Sequence, residues 1–167
     1  PEHADRLIVS SPVLSNSKMH QIRTLGRKGY EIADIDLNYA EAEGLQAAIT
    51  RICIEAAQAI RDGKTLLVLS DKKIREGYLP ANALMATGAV HHHLIQVGLR
   101  TDANIIVETG LARDPHQFAV ILGFGATAIY PYLAYDVIND LVAKGELLGD
   151  PIQALAHFRK DIEKGLL

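Results

Sequence analysis

Cysteine is almost absent from the sequence, tryptophan is absent altogether, and positive and negative charges nearly balance. The one thiol, Cys53, excludes an internal disulfide and an iron–sulfur cluster ligated by this chain alone. Because Cys53 falls within a helical pattern, we expect a small buried apolar side chain rather than a nucleophile. Such sparing use of cysteine is typical of a reducing compartment, and a cytoplasmic location is the expectation.

The formal net charge of −3 gives no reason to expect a nucleic acid or a membrane surface as a partner. No apolar run approaches the roughly 20 residues that a membrane-spanning helix needs. The opening stretch, 1–6, is charged, and no apolar region of the kind found in signal peptides follows it. With 49% hydrophobic and 22% charged residues, the chain is predicted to form one soluble β/α domain over 1–167.

Short apolar runs alternate with longer amphipathic stretches along the whole chain. The short runs predict five strands, over 6–9, 30–37, 65–69, 103–107 and 126–130. The longer stretches predict helices over about 16–25, 40–61, 80–97, 115–122, 132–143 and from 151 onward. The runs at 65–69 and 103–107 are continuously apolar, which is typical of strands buried on both faces.

Capping residues predict where the helices begin and end. Asn38 is expected to cap the long second helix, and Pro80 is expected to lie in the first turn of the third. Gly98 is expected to end that third helix. The fourth helix is expected to open at Asp114-Pro115, because aspartate caps well and proline suits the first turn.

Two glycine features have structural explanations. Gly88 in mid-helix costs about 1 kcal/mol relative to alanine, so close packing against a neighbouring element is expected there. The segment Gly123-Phe124-Gly125-Ala126 resembles a dinucleotide loop only superficially, because it precedes a strand instead of opening a helix. We expect it to be a helix C-cap followed by a tight turn.

Strands that alternate with helices predict an all-parallel sheet with right-handed crossovers. Five such units are too few for an eight-stranded barrel. The predicted fold is therefore α/β, an open doubly wound five-stranded parallel sheet in the flavodoxin-like order 2-1-3-4-5. The alternative is an incomplete β/α barrel, which these units could form within a larger polypeptide.

Three consecutive histidines, His91, His92 and His93, invite a metal-site interpretation. Neighbouring helical positions are about 100° apart, so three in a row cannot converge on one ion. We expect one buried, hydrogen-bonded histidine flanked by two partly exposed ones, and we predict no metal site. The alternative is that one of them pairs with His116 or with a carboxylate across space.

Polar residues lie at or near the carboxyl ends of the later strands, where α/β proteins place ligands. They include Asp36, Asp71 and Glu108, and two such carboxylates could act as an acid and base pair if their pKa values were separated. No catalytic residue is predicted, because no nucleophile with a neighbouring base can be read from spacing. The candidate ligand-binding residues are Ser70, Asp71, His91, His92, His93, Glu108, His116 and Tyr130.

Several motifs together resemble the central domain of the glutamate synthase large subunit. They are ATGAVHHHLI at 86–95, GLRT at 98–101, IVET at 106–109, GFGA at 123–126 and PYLA at 131–134. The likeness extends upstream to LLVLSD at 66–71 and covers nearly the whole chain. The triple histidine in this setting is its most specific element.

The resemblance implies a part of an enzyme that makes L-glutamate from L-glutamine and 2-oxoglutarate. In that family FMN and an iron–sulfur cluster are bound elsewhere, so no cofactor is expected in this chain. The expected role is a non-catalytic structural domain whose partners are other domains of a glutamate synthase-like chain. It predicts an apolar docking surface and an inert isolated domain.

The alternative is a free-standing flavodoxin-like module, a small-ligand binder or enzyme with its site at the strand carboxyl ends. It predicts a concave pocket there with convergent polar groups and perturbed pKa values.

Overall fold

The structure, a computed structural model, describes residues 9–167. In that part of the chain the helices are α1 Asn16–Thr24, α2 Leu45–Arg61, α3 Ala83–Gln96, α4 Pro115–Gly123, α5 Tyr132–Ala143 and α6 Pro151–Leu166. The strands are β1 Ile32–Asp36, β2 Asn38–Ala40, β3 Leu66–Ser70, β4 Tyr78–Pro80, β5 Asn104–Glu108 and β6 Ala128–Tyr130. The strand predicted over 6–9 lies, except for Val9, outside the described residues. No helix among the described residues is both long and apolar enough to cross a membrane.

Four of the strands form a parallel sheet in the order β1-β3-β5-β6. Ile32 lies opposite Leu66, and Leu66 lies opposite Asn104, so these three strands run in register. Every residue of β3 is buried, as its continuous apolar run indicates. The prediction of a parallel α/β sheet is confirmed.

The predicted strand order, however, is wrong. The order 2-1-3-4-5 would insert a strand between β1 and β3, whereas these two strands pair directly. The chain at 12–14 lies instead at the other edge, beside β6. There the Leu14 N–H donates to the Ile129 carbonyl at 2.9 Å, and the Ile129 N–H donates to the Pro12 carbonyl at 2.7 Å. The resulting sheet has four strands among the described residues.

Consecutive strands are neighbours because the crossovers from β1 to β6 all advance in one direction, as they do in a β/α barrel. That feature is shared with the alternative prediction of an incomplete barrel. The sheet nevertheless carries α1 on the face that a barrel would turn inward, where Met19 and Ile22 pack against Val68 and Ile106. Alternation of strands and helices in the sequence predicts parallel strands but does not specify which strands pair.

The opposite face of the sheet carries the larger apolar core. Leu67, Leu69, Ile105 and Val107 point to this face because side chains alternate along a strand. They pack against buried residues of α2, α3, α4 and α6, which include Ile52, Val90, Phe118 and Ile162. Both faces of the sheet are therefore covered, and functional groups are left to its two edges.

A small antiparallel sheet of β2 and β4 extends beyond the carboxyl edge, and it overturns the predicted role of Asn38. Asn38 does not cap a helix, since α2 begins at Leu45 after Gly44. The buried Asn38 side chain instead donates to the Asp71 carbonyl at 3.1 Å and to Asp36 Oδ1 at 3.0 Å. A paired strand of three residues is too short to show a periodicity.

The other helix ends follow the predictions with one exception. Asp114 caps α4 by accepting a hydrogen bond from the Gln117 N–H, and Pro115 is the first helical residue. Gly98 follows the end of α3 at a φ of 73°. Pro80 is the exception, because it ends β4, and Asn82 caps α3 by accepting from the Leu84 N–H at 3.0 Å.

Two glycines allow α3 to approach the turn between α4 and β6. A Cβ atom at Gly88 would lie 2.9 Å from Cδ1 of Phe124, so the predicted close packing is confirmed. Gly125 has a φ of 119°, and a Cβ atom there would lie 2.5 Å from the His91 ring. As predicted, α4 ends at Gly123 and the GFGA segment forms the turn before β6.

We predict that Gly125→Ala lowers the free energy of unfolding by about 3 kcal/mol. The substitution adds backbone strain at a positive φ and forces the His91 ring out of its place. Chemical denaturation followed by circular dichroism measures the loss.

Gly145→Ala is the matched control, because Gly145 has a φ of 74° with no atom within 4 Å of its Cβ position. It should cost only the backbone strain, about 1–2 kcal/mol. Equal losses in the two variants would contradict the packing argument.

Candidate functional site

The carboxyl edge of the sheet brings together four of the predicted site residues. Ser70 lies opposite Glu108, and Glu108 lies opposite Tyr130, so the three side chains occupy one row across β3, β5 and β6. Asp71 follows directly after β3, and its N–H donates to the Glu108 carbonyl at 3.2 Å. Because parallel strands end at the same edge, these residues converge despite their separation in sequence.

Asp71 is buried and joins three segments of the chain. Its Oδ1 accepts hydrogen bonds from the Tyr132 hydroxyl at 2.6 Å and from the Gly110 N–H at 3.1 Å. Its Oδ2 accepts from the Thr109 hydroxyl at 2.6 Å. The carboxylate therefore ties the end of β3 to the loop after β5 and to the first residue of α5. Both of its oxygens are occupied by donors from within the domain.

Tyr132 belongs to this cluster, although sequence reasoning did not select it. The pKa of Tyr132 is raised well above its ordinary value, mainly by burial and secondly by the hydrogen bond to Asp71. Its phenol therefore stays protonated and serves as a donor. The signal in the sequence was its place two residues after the end of a predicted strand, at the edge where the other candidates lie.

Glu108 is also buried, on the side of the edge that faces α1. Its Oε1 accepts a hydrogen bond from the Ser70 hydroxyl at 2.6 Å, and its Oε2 lies 3.7 Å from Nη2 of Arg23. Arg23 makes two hydrogen bonds to Asp34, at 2.9 and 3.1 Å, and this pairing raises the pKa of Arg23. No sequence spacing could have selected Arg23, because α1 reaches Glu108 only by crossing the face of the sheet.

Tyr130 completes the same row but is directed to the start of α1. Its hydroxyl donates to Asn16 Oδ1 at 2.6 Å. Burial, together with the charge of Glu108, raises the pKa of Tyr130. Tyr130 thus joins β6 to α1 and makes no hydrogen bond to Asp71.

A cleft of about 360 Å³ opens beside Asp71. The residues that line it come from the loop after β3, the end of β4, the start of α3, the loop after β5 and the start of α5. They are Asp71, Ile74, Pro80, Ala81, Asn82, Ala83, Gly110, Leu111, Tyr132 and Leu133. Most of these side chains are apolar, and Ile74 is 82% exposed. A concave pocket therefore exists at the predicted edge, but its walls are mainly aliphatic.

The triple histidine lies elsewhere, and its predicted arrangement is wrong in one respect. None of the three side chains is fully buried: His92 is exposed, and His91 and His93 are half-buried. A hydrogen bond is made by His91 at one end of the run, whose Nδ1 accepts from Nε of Arg100 at 2.9 Å, whereas the flanked residue His92 is the exposed one. One side of α3 faces a turn rather than the core at this point, so full burial of His91 is not reached.

Arg100 continues this contact into the start of the sheet. Its guanidinium donates to the Ala103 carbonyl at 2.9 Å and to the Gly125 carbonyl at 2.8 Å. Ala103 and Gly125 precede β5 and β6, so His91 lies at the amino edge of the sheet, opposite to Asp71. Partial burial, Arg100 and His92 lower the pKa of His91, which is therefore held neutral as an acceptor.

The histidines consequently do not join the carboxyl-edge residues in a single site. His116 is exposed in the first turn of α4. Among residues 9–167, no group of three histidine, cysteine or carboxylate side chains is placed to hold a metal ion. The combined set of candidates therefore separates into an edge cluster around Asp71 and Glu108, an amino-edge contact at His91, and His116.

The chain is similar to glutamate synthases along its whole length. The family model described as glutamate synthase central domain matches residues 1–167. The glutamate synthase (NADPH) large chain of Bacillus subtilis is 38% identical over 162 residues, which cover 97% of this chain and 10% of that protein. The ferredoxin-dependent glutamate synthase of Pyropia yezoensis is 36% identical over 179 residues, 100% of this chain and 12% of that protein.

A third relative, from yeast, also matches nearly all of this chain and a small part of its own length. The glutamate synthase (NADH) of Schizosaccharomyces pombe is 33% identical over 169 residues, which cover 97% of this chain and 8% of that protein. The chain thus spans about a tenth of the length of the curated relatives it matches.

We predict that Asp71→Asn lowers the free energy of unfolding by about 1–3 kcal/mol. An amide nitrogen cannot accept a hydrogen bond, so at least one buried donor around position 71 loses its partner. Asp34→Asn is the control, because the Asp34 side chain is 49% exposed and an exposed ion pair contributes about 0–1 kcal/mol. Denaturant titration that ranks Asp34→Asn as the more damaging change would refute the assignment.

We also predict that acid weakens the domain partly through His91. Since the pKa of His91 is lowered on folding, its contribution to stability is present above the unfolded pKa of about 6.5 and is lost as the pH falls through the folded value. In His91→Asn the side-chain oxygen can accept from Arg100 at every pH. The slope of unfolding free energy between pH 7.5 and pH 5 should therefore be flatter in His91→Asn than in the parent, and equal slopes would rule out this role.

Proposed function

The chain belongs to the family of glutamate synthase central domains, and we propose that it serves as a non-catalytic structural domain within a longer glutamate synthase-like polypeptide. The activity of that whole polypeptide would be the formation of L-glutamate from L-glutamine and 2-oxoglutarate. Its other domains would be the partners of this one, consistent with the tenth of each relative that the chain covers.

The proposed structural role is supported mainly by the hydrogen bonds that the Asp71 carboxylate accepts from within the domain. Three donors from two other segments surround its two carboxylate oxygens at 2.6–3.1 Å. A general base or a ligand-binding carboxylate needs an oxygen directed at the substrate. Here both oxygens are used to hold the edge of the sheet together, as Glu108 is used to hold Ser70.

The residues of this chain do not fit the cofactors of the parent family. An iron–sulfur cluster needs several cysteine ligands, whereas Cys53 is the only cysteine, is buried in α2, and has a pKa raised by burial. The GFGA turn ends α4 and leads into β6, so it does not present a helix amino terminus to a flavin phosphate. We therefore propose that FMN and the cluster are bound by other domains.

A small-ligand-binding module remains the second candidate, and the cleft beside Asp71 favours it. Its volume of about 360 Å³ falls within the ordinary range for ligand pockets. The exposed aliphatic walls and the occupied carboxylate fit a protein partner better than a polar metabolite. The structural role is therefore preferred.

Substitution of Glu108 in the full-length polypeptide separates the two functions. Glu108→Ala should lower the unfolding midpoint of the domain, because it leaves the buried Ser70 hydroxyl without its partner. Glutamate formation per folded molecule should stay the same. Thermal unfolding and steady-state turnover are the two measurements.

Glu108→Gln is the matched variant, because its amide oxygen can still accept from Ser70. It should lose less stability than Glu108→Ala and should also keep full turnover. If either variant loses turnover or ligand binding while its unfolding midpoint is unchanged, the structural role is wrong and the ligand-binding candidate replaces it.

A further inference from the structure

The cleft beside Asp71 carries an inference about what covers it. We infer that it receives an aliphatic segment from another region of the same longer polypeptide, an inference that rests on the proposed structural role. The surface concerned, called the aliphatic rim below, consists of the exposed side chains of Ile74, Leu111 and Leu133, which all line the cleft.

The rim groups three exposed aliphatic side chains at one cleft. Ile74 is 82% exposed, Leu133 43% and Leu111 36%. All three line the cleft beside Asp71. These side chains come from different loops and helix starts, so the fold, and not one amphipathic segment, assembles the patch. A continuous exposed apolar patch of this kind is typical of an interaction surface.

The floor of the cleft demands no hydrogen bond from its occupant. The Asp71 oxygens already accept from Thr109, Gly110 and Tyr132 within the domain. Lys72 lies with its ammonium group 5.5 Å from the centre of the Tyr132 ring, within cation–π distance. An aliphatic side chain can therefore enter without leaving a buried polar group unpaired, whereas an anionic ligand would meet a buried carboxylate.

The gain from such an occupant is the release of water. A cleft of about 360 Å³ holds roughly ten water molecules against aliphatic walls. Removing apolar surface from water contributes about 25 cal/mol for each Å² buried, without a directional requirement. Shape and aliphatic character, and not specific polar contacts, would therefore select the occupant.

Two observations favour the same polypeptide over a second copy of this chain. The chain corresponds to only 8–12% of the length of its relatives, so in those proteins about nine tenths of the polypeptide lies outside the matched region. The last turn of α6 also contacts the helix that begins four residues after the rim residue Leu111, since a Cβ atom at Gly165 would lie 2.5 Å from the Pro115 ring.

Cysteine labelling in the full-length polypeptide tests the inference. Ile74→Cys and Leu133→Cys each place a thiol on the rim, and Ile152→Cys is the control, because Ile152 is 74% exposed at the opposite end of α6. The native Cys53 is buried with a raised pKa, and its labelling, like that of every other native cysteine of the polypeptide, is measured in the parent and subtracted. We expect a maleimide dye to react with positions 74 and 133 about tenfold or more slowly than with position 152.

Equal labelling rates at positions 74, 133 and 152 would overturn the inference. Protection that disappears on dilution to nanomolar protein would also overturn it, because a second copy would then be the occupant. Protection that depends on an added or co-purified small molecule, and is lost on its removal by gel filtration, would do the same. Protection that persists through dilution and gel filtration supports a segment of the same chain.

The labelling experiment and the Glu108 experiment can fail independently of each other. A reactive rim with normal turnover in the Glu108 variants would reject the docking segment and leave the structural role in place. A protected rim with lost turnover in a stable Glu108 variant would reject the structural role and keep the docking segment. Position 74 tolerates substitution because its side chain makes up almost none of the buried core.

Discussion

The interactions of a single carboxylate, Asp71, determine how the carboxyl edge of this sheet is built. Tyr132, Thr109 and Gly110 all donate to it, so the end of β3, the loop after β5 and the start of α5 have fixed positions relative to one another. A buried carboxylate with this many donors stabilises the fold only as a complete set, since each donor would be costly to leave unpaired. These contacts therefore position Gly110 and Tyr132, which line the cleft beside Asp71.

Polar side chains join different segments of the chain at both edges of the sheet. At the amino edge, Arg100 joins His91 on α3 to the carbonyls of Ala103 and Gly125. Gly125 permits this approach because it lacks a Cβ atom that would meet the imidazole ring. His91, the first residue of the triple histidine, thus holds α3 against the turn before β6. At both edges, polar side chains make hydrogen bonds that join different layers of the domain.

A substantial part of the fold could be predicted from local signals. Asp114-Pro115 marked the start of α4, and the continuous apolar run at 65–69 marked β3, because capping and burial depend on neighbouring residues. The candidates Ser70, Asp71, Glu108 and Tyr130 were selected because they end strands. Arg23 and Tyr132 were missed, since their importance depends on partners that lie 85 and 61 positions away.

The sequence by itself determined the parallel α/β class, the positions of most helices and the family, because hydrophobic periodicity, capping residues and motifs are local properties. Only the tertiary structure decided that β1 pairs with β3, and that the chain at 12–14 lies beside β6. Strand pairing depends on the direction in which each crossover turns and on the packing of helices over both faces. Whether Asp71 faces a ligand or three internal donors is likewise decided by the assembled edge, where segments distant in sequence supply the partners.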